Sequence, residues 1–206
     1  SEHYFSESPS GELRPREIAV VLAGAPRTVL TAGGIFSPEH LDRGTRVLLE
    51  AADRDTAQVD GQDPGVILDL GCGWGPIALH AALTYPDAEV WAVDVNERAR
   101  ELTAANAERL GLTRLHVAAP DEVPEGLTFD SVRSNPPIRV GKEVLDGPLR
   151  QWIPRLAPGG SARLVVAKHL GADSLQRWIA AEFPELDVTR VARDKGFHVI
   201  GASRPL

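Results

Sequence analysis

From residue 66 onward, short apolar runs bounded by glycine or polar turns alternate with longer stretches whose apolar positions recur every three to four residues. The runs "VILDL" (66–70), "EVWAVDV" (89–95), "RLHVAA" (114–119), "FDSVRS" (129–134) and "SARLVVA" (161–167) predict strands. Between them, "PIALHAALTY" (76–85) predicts a helix with proline in its first turn, where a missing N–H costs nothing. "ERARELTAANAERLG" (97–111) predicts a second, closed by Gly111. "KEVLDGPLRQWIPRL" (142–156) predicts a weaker helix, broken or kinked at Gly147 and Pro148, with a turn at "APGG" after it. "ADSLQRWIAAEF" (172–183) predicts the last helix, and "DVTRVAR" (187–193) and "FHVIGAS" (197–203) flank "DKG" as a hairpin. Upstream, "REIAVVL" (16–22) and "RTVLTA" (27–32) flank a turn at "AGAP", and a helix is expected near 41–53.

Strands alternating with helices predict right-handed crossovers and an α/β fold: a doubly wound, mostly parallel seven-stranded sheet, covered on both faces, with an antiparallel strand from the closing hairpin. The polar stretch "RDTAQVDGQDPG" (54–65) reads as a loop or linker. Residues 1–55 are therefore expected to be an extension packed on a core formed by 56–206. A length of 206 residues suits one such domain.

Composition narrows the classes. No apolar run approaches the roughly 18 residues that suggest a membrane helix. The start "SEHYFSESPS" has neither the basic start nor the apolar core of a secretory signal, so a cytoplasmic location is expected. Cys72 is the single cysteine, which excludes an internal disulfide framework and a cysteine-rich zinc site, and no metal is expected. The net charge of −7 argues against a nucleic-acid partner. Its distribution changes that picture: residues 1–130 carry 10 Lys/Arg and 22 Asp/Glu, whereas 131–206 carry 12 and 7. The C-terminal part is thus basic, either as a functional face or as a skew of solvated surface charge.

Chemistry enters with "DLGCGWGP" (69–76), between the first buried strand and the helix after it. Gly71, Gly73 and Gly75 let the backbone turn tightly and lie close to a ligand. An acid, Asp94, ends the next strand 21 residues beyond Gly73, where a carboxylate can accept both hydrogen bonds of a ribose diol. The dinucleotide pattern G-x-G-x-x-G fails at Pro76, and no Gly-Lys-Ser/Thr follows for a triphosphate. Asp69, just ahead of the loop, suits a cationic ligand, so a sulfonium nucleoside bearing an amino group fits better than NAD or ATP.

"VILDLGCGWGPIAL", the acid in "VWAVDVN" and "SNPP" after a fourth strand together resemble the class I S-adenosylmethionine-dependent methyltransferases, a Rossmann-like fold. "TVLTAGGIFSPEHLDRGTRVLLE" and "KGFHVI" narrow the resemblance to the methyltransferase small-domain family, which contains ribosomal-RNA guanine-N2 methyltransferases of both subunits. The resemblance implies S-adenosylmethionine as cofactor. Asp69, Gly71, Gly73 and Gly75 would hold its methionine moiety, and Asp94 its ribose, with Val95 and Asn96 along the adenine edge. Asp121 in "AAPD" is the candidate polar contact to adenine, and Phe36 would cover the cofactor unless it is an ordinary core aromatic.

The tip "SNPP" is the candidate catalytic element. An exocyclic amine is a poor nucleophile because its lone pair is delocalised into the ring. The Asn135 side-chain carbonyl and the Pro136 backbone carbonyl can accept its two protons and turn its nitrogen toward a methyl donor. Consecutive prolines, Pro136 and Pro137, fix the backbone beforehand. The resembled families usually place an aromatic residue next; Ile138 stands there, leaving apolar packing without aromatic stacking from that position. An RNA base would have to be unpaired or flipped out to enter. Arg133, Arg139 and Lys142 bracket the tip and are candidate phosphate contacts, with Lys168, His169, Arg193 and Lys195 extending that face. The expected function is methyl transfer to guanine N2 of ribosomal RNA, free or in the small subunit. Methylation of a protein amide or small molecule, and a non-catalytic cofactor-binding or interaction module, are the alternatives.

Overall fold

The computed structural model describes residues 14–35, 39–58, 64–137 and 143–206. Seven strands make one sheet: β3 (Val66–Leu70), β4 (Glu89–Val93), β5 (Leu115–Ala118), β6 (Phe129–Ser134), β7 (Leu156–Ala167), β8 (Asp187–Asp194) and β9 (Phe197–Ser203). Their order is β5-β4-β3-β6-β7-β9-β8. The strands from β5 to β7 run parallel, and β9 is antiparallel to both of its neighbours. The chain steps outward from β3 through β4 to β5, then returns to the other side of β3 with β6. The carboxyl ends of β3 and β6 therefore flank the point where the winding reverses, the usual place for a ligand cleft in such sheets.

Burial on both faces explains why strands such as β3 and β9 are apolar runs instead of alternating ones. Ile67, Val165 and Val199 point into one core with α1 (Arg43–Gln58), α2 (Pro76–Thr84) and α3 (Glu97–Arg109). Leu68, Leu164 and Ile200, one step along, point into the other with α4 (Glu143–Trp152) and α5 (Ala172–Glu182).

Two expectations shift. The helix at α4 runs through Gly147 and Pro148 and ends in a 3-10 turn at Ile153–Arg155. Burying Leu149, Trp152 and Ile153, each worth roughly 1.5–3 kcal/mol, outweighs the cost of about 3 kcal/mol for an internal proline. The expected turn at "APGG" lies inside β7 as a bulge, where pairing with β6 jumps from Phe129–Leu156 to Ser131–Ser161. A Cβ on Gly160 would lie 2.8–2.9 Å from backbone carbonyl oxygens, so only glycine fits there.

The N-terminal hairpin, β1 (Arg16–Leu22) and β2 (Ala25–Thr31), turns at Ala23-Gly24, tighter than the expected "AGAP". Both turn residues have positive φ, as two-residue hairpin turns require. Asn106 of α3 accepts from the Leu30 N–H (2.6 Å) and donates to the carbonyls of Leu30 (2.9 Å) and Trp74 (3.0 Å). His80 of α2 accepts from the Ala23 N–H and faces the Asp53 carboxylate of α1 at 3.0 Å. Hairpin, helices and glycine loop are thereby held in one frame.

Candidate active site

A cleft of about 600 Å³ opens at the winding reversal. This is within the roughly 300–1,000 Å³ typical of small-molecule sites. One half is walled by the loop after β3 and the ends of β4; the other by the end of β6, α4, the end of β7 and the start of β9.

Gly71, Cys72 and Gly73 form the floor of the first half. The N–H groups of Gly71 and Cys72 both donate to the Val93 carbonyl, at 2.8 and 3.1 Å, pinning the loop to β4. Gly71 has φ +77°, and a Cβ built there meets nothing within 4 Å, so the space beside this part of the loop is open. Gly75 acts differently. It lies outside the cleft lining, caps α2 at φ +100°, and a Cβ on it would come within 2.9 Å of Thr103. Its smallness brings the loop against α3. Thr103 donates to the Gly73 carbonyl at 3.0 Å.

Asp94 lines the cleft, with Oδ2 accepting from the Gly73 N–H (3.0 Å) and Oδ1 from the Asn96 N–H (2.9 Å). Burial raises its pKa above the usual carboxylate value, opposed by those two N–H groups and by Arg100. Each oxygen retains a second lone pair, so the carboxylate is aimed and still able to receive a diol. Val95 and Asn96 also line this half, and the Asn96 side chain caps α3 through the Ala99 N–H. Arg100 holds the carbonyls of Asp94 and Val95 at 2.8 and 2.9 Å.

Asp69 is wholly buried beneath the loop and is not part of the cleft wall. Its Oδ2 accepts from the Ala78 N–H in the first turn of α2 (2.9 Å), and its Oδ1 has no partner among the described residues. Desolvation pushes its pKa up to about 8. Asp69 thus builds the loop–helix junction rather than touching a ligand. The Cys72 thiol is also held well above its ordinary pKa, by burial and then by the charges of Asp94 and Asp69, which keeps it protonated and unreactive. Asp121 is exposed and outside the lining; its neighbour Pro120 closes that end instead. From the N-terminal segment, Gly34 and Ile35 reach the cleft, held by Arg98 donating to the Gly33 carbonyl (2.9 Å). Phe36 lies outside the described residues.

In the second half, Ser134 donates from Oγ to the Leu70 carbonyl at 2.7 Å, tying the end of β6 to the end of β3. Asn135, Pro136 and Pro137 are thereby set beside the glycine loop and line the cleft. The Asn135 amide nitrogen donates to Asp42 Oδ2 (2.9 Å) and Thr45 Oγ1 (3.0 Å) at the start of α1. Both N–H bonds of the amide are thereby committed to the start of α1. Asp42 Oδ2 also caps α1, accepting from the Thr45 N–H at 3.1 Å. Nothing in the sequence reading marked Asp42 or Thr45 as part of the site. "LDRGT" signals a helix start, and the partner lies 93 and 90 residues away. Phe197 and Leu170 carry no site signal in the sequence either; both line this cleft, as does Trp152 of α4.

Arg133 does not reach a phosphate. It is 2% exposed, on a central strand covered on both faces, with its Nε donating to Ser131 Oγ (3.1 Å) and its guanidinium 5.7 Å from the Tyr85 ring. Burial lowers its pKa. Ile138, Arg139 and Lys142 lie outside the described residues. Lys168 and His169 stand exposed on the 3-10 turn that carries Leu170, and Lys168 N donates to the Gly196 carbonyl (2.8 Å), so the hairpin bearing Arg193 and Lys195 meets the same rim. Among the described residues no helix is long and apolar enough to cross a membrane, and no cluster of three His, Cys, Asp or Glu side chains could hold a metal ion.

Strand order and cleft position define the class: this is a class I S-adenosylmethionine-dependent methyltransferase fold. Within that class, the chain belongs to the methyltransferase small domain family, which matches residues 26–201. The uncharacterized protein YbxB of Bacillus subtilis (strain 168) is 34% identical over 207 residues, covering 99% of each chain. Ribosomal RNA small subunit methyltransferase C of Pseudomonas syringae pv. syringae is 31% identical and is matched over 92% of this chain and 55% of its own. Ribosomal RNA large subunit methyltransferase G of Shewanella amazonensis is 32% identical over 69% of this chain and 38% of its own. Among solved structures, the T. thermophilus 16S rRNA N2 G1207 methyltransferase, in complex with AdoMet and guanosine, superposes with a TM-score of 0.79 at 25% identity, over 95% of this chain and 52% of that one. This chain spans about half the length of the small-subunit enzymes it matches.

The cofactor is S-adenosylmethionine, and the first half of the cleft fits it. Open space over Gly71 admits a ligand against the backbone, and Asp94 offers two aimed acceptors for a diol. Asp94→Ala is expected to weaken S-adenosylmethionine binding about 10- to 100-fold by calorimetry, the size of a lost pair of charge-assisted hydrogen bonds. Turnover at saturating cofactor should fall much less.

Proposed function

We propose that this chain methylates the exocyclic N2 amine of guanine in ribosomal RNA. The observation that carries the reading is the Asn135 amide, held through its N–H groups by Asp42 and Thr45 in the cleft wall, an arrangement that leaves its carbonyl free to turn toward the cofactor loop. When bound, S-adenosylmethionine supplies an electrophilic methyl group on a sulfonium. The chain's own part is orientation. Asn135 Oδ1 and the Pro136 carbonyl accept the two amine protons and rotate the nitrogen lone pair out of conjugation, toward the methyl. The N–C bond forms as the S–C bond breaks, and one proton leaves the nitrogen afterwards. No strong base is required, in keeping with the neutral acceptors at the tip.

Phe197, Leu170 and Trp152 supply apolar walls for a planar base. They take over the packing that Ile138 cannot provide by stacking. Exposed Lys168, His169 and Lys195 at the rim would meet phosphates of an RNA whose target base has flipped in. Support for guanine comes from the similar T. thermophilus enzyme, whose structure holds guanosine. Relatives acting on small- and large-subunit RNA leave both as substrates to assay.

The test is direct. The protein is incubated with methyl-labelled S-adenosylmethionine and unmodified small- and large-subunit ribosomal RNA, free and as subunits, and the RNA is digested to nucleosides. Label in N2-methylguanosine is expected. Cofactor binding without label in any guanosine overturns the reading.

A further inference from the structure

We propose that Asp42 reads the ring N–H beside the target amine and so restricts the acceptor to guanine. This rests on the guanine-N2 reading above and extends it to specificity. The Asp42 carboxylate lines the cleft directly beside Asn135. Its Oδ2 is saturated by the Asn135 amide (2.9 Å) and the Thr45 N–H (3.1 Å). The two hydrogen bonds described for this carboxylate both run to Oδ2, and the residue is half-buried at the cleft wall. A Cβ placed on Gly44 would come within 3.0 Å of both Asp42 Oδ2 and the Phe197 ring, so carboxylate, helix start and aromatic wall are packed against one another. An oriented acceptor therefore stands one group away from the point where the amine is held.

Base chemistry makes that position selective. In guanine the atom next to the N2 amine is N1, which carries a hydrogen. In adenine and cytosine the ring nitrogen next to the exocyclic amine is a bare acceptor. A carboxylate, which only accepts, pairs with guanine N1–H while Asn135 Oδ1 holds an N2 proton. The other two bases would set a lone pair against the carboxylate, as would guanine turned over to present N3. Recognition and alignment then use the same side chain: Asp42 orients Asn135 through Oδ2 and the base through Oδ1.

The experiment compares guanine with 2-aminopurine, which has the same amine but no N1–H. The nucleotide labelled by the wild type is mapped, and RNAs carrying either base at that position are assayed by initial rates. The wild type is expected to prefer guanine by at least about tenfold in kcat/KM, as one discriminating base contact gives. Asp42→Asn keeps the helix cap and the shape but can offer an N–H to the base; it should lose activity on guanine and reduce the guanine-to-2-aminopurine ratio about tenfold or more. Thr45→Val, which loosens Asn135 without altering Asp42, should slow both substrates and leave the ratio unchanged. Equal wild-type rates on the two bases, or a ratio unmoved by Asp42→Asn, overturns the assignment while the guanine reading stands. If the wild type labels no guanine, both fall. The wild-type comparison needs no variant to fold.

Discussion

Asn135→Ala is expected to bind S-adenosylmethionine within about twofold of the wild type and to transfer methyl groups slower by two to three orders of magnitude. The size follows from removing an oriented acceptor at the reacting group, since misplacement by an ångström alone costs about a hundredfold. Cofactor affinity is spared because the partners of Asn135 are Asp42 and Thr45, not the glycine loop or Asp94. Stability should drop by about 1–3 kcal/mol, the cost of leaving those two acceptors without a donor. Single-turnover labelling of ribosomal RNA, with calorimetry for the cofactor, separates these effects. Retention of a tenth of wild-type turnover would remove Asn135 from the catalytic tip.

Asp69→Asn is expected to abolish a pH dependence of folding stability. The carboxyl titrates at about 8 in the folded chain against an ordinary 3.8, raised by burial and then by the nearby Asp94 carboxylate. Below about pH 4 it is protonated in both states. Between 4 and 8 the unfolded chain has released the proton and the folded chain retains it, so its contribution to stability is lost as pH rises, by up to about 1.4 kcal/mol per unit, levelling off above 8. Asparagine is neutral throughout and still accepts from the Ala78 N–H. Urea unfolding of cofactor-free protein at pH 5, 7 and 8.5 should show the variant gaining on the wild type as pH rises. Parallel profiles would mean that Asp69 is ionised in the folded state.

These two residues also show where sequence is and is not legible. Asp69 was read as a ligand of the cofactor because it precedes a glycine loop, yet its side chain turns under the loop to cap α2, whose first residue is a proline without an N–H to offer. Asn135 was placed at the catalytic tip on the chemistry of its amide and the stiffness of two prolines, and the structure sets all three in the cleft wall. Arg133, one residue ahead of "SNPP", is a candidate phosphate contact by sequence. Alternation could not reveal its burial, because a central parallel strand is covered on both faces. The hairpin, the helices of the described residues and the seven-stranded sheet follow from periodicity, whereas Pro148 and "APGG" mislead because tertiary burial and a bulge outweigh local preference.

By itself, the sequence determined the α/β architecture, the glycine loop and the acid that ends the next strand. Each of these is written in neighbouring residues, through hydrophobic period, turn chemistry and spacing, and strand and loop geometry carry such signals over short distances. Only the tertiary structure decided which way the Asn135 amide faces. That depends on Asp42 and Thr45, brought to it from about 90 residues upstream by the packing of α1 against the sheet. Hydrogen-bond direction between side chains so far apart is set by the folded backbone, and no local pattern encodes it.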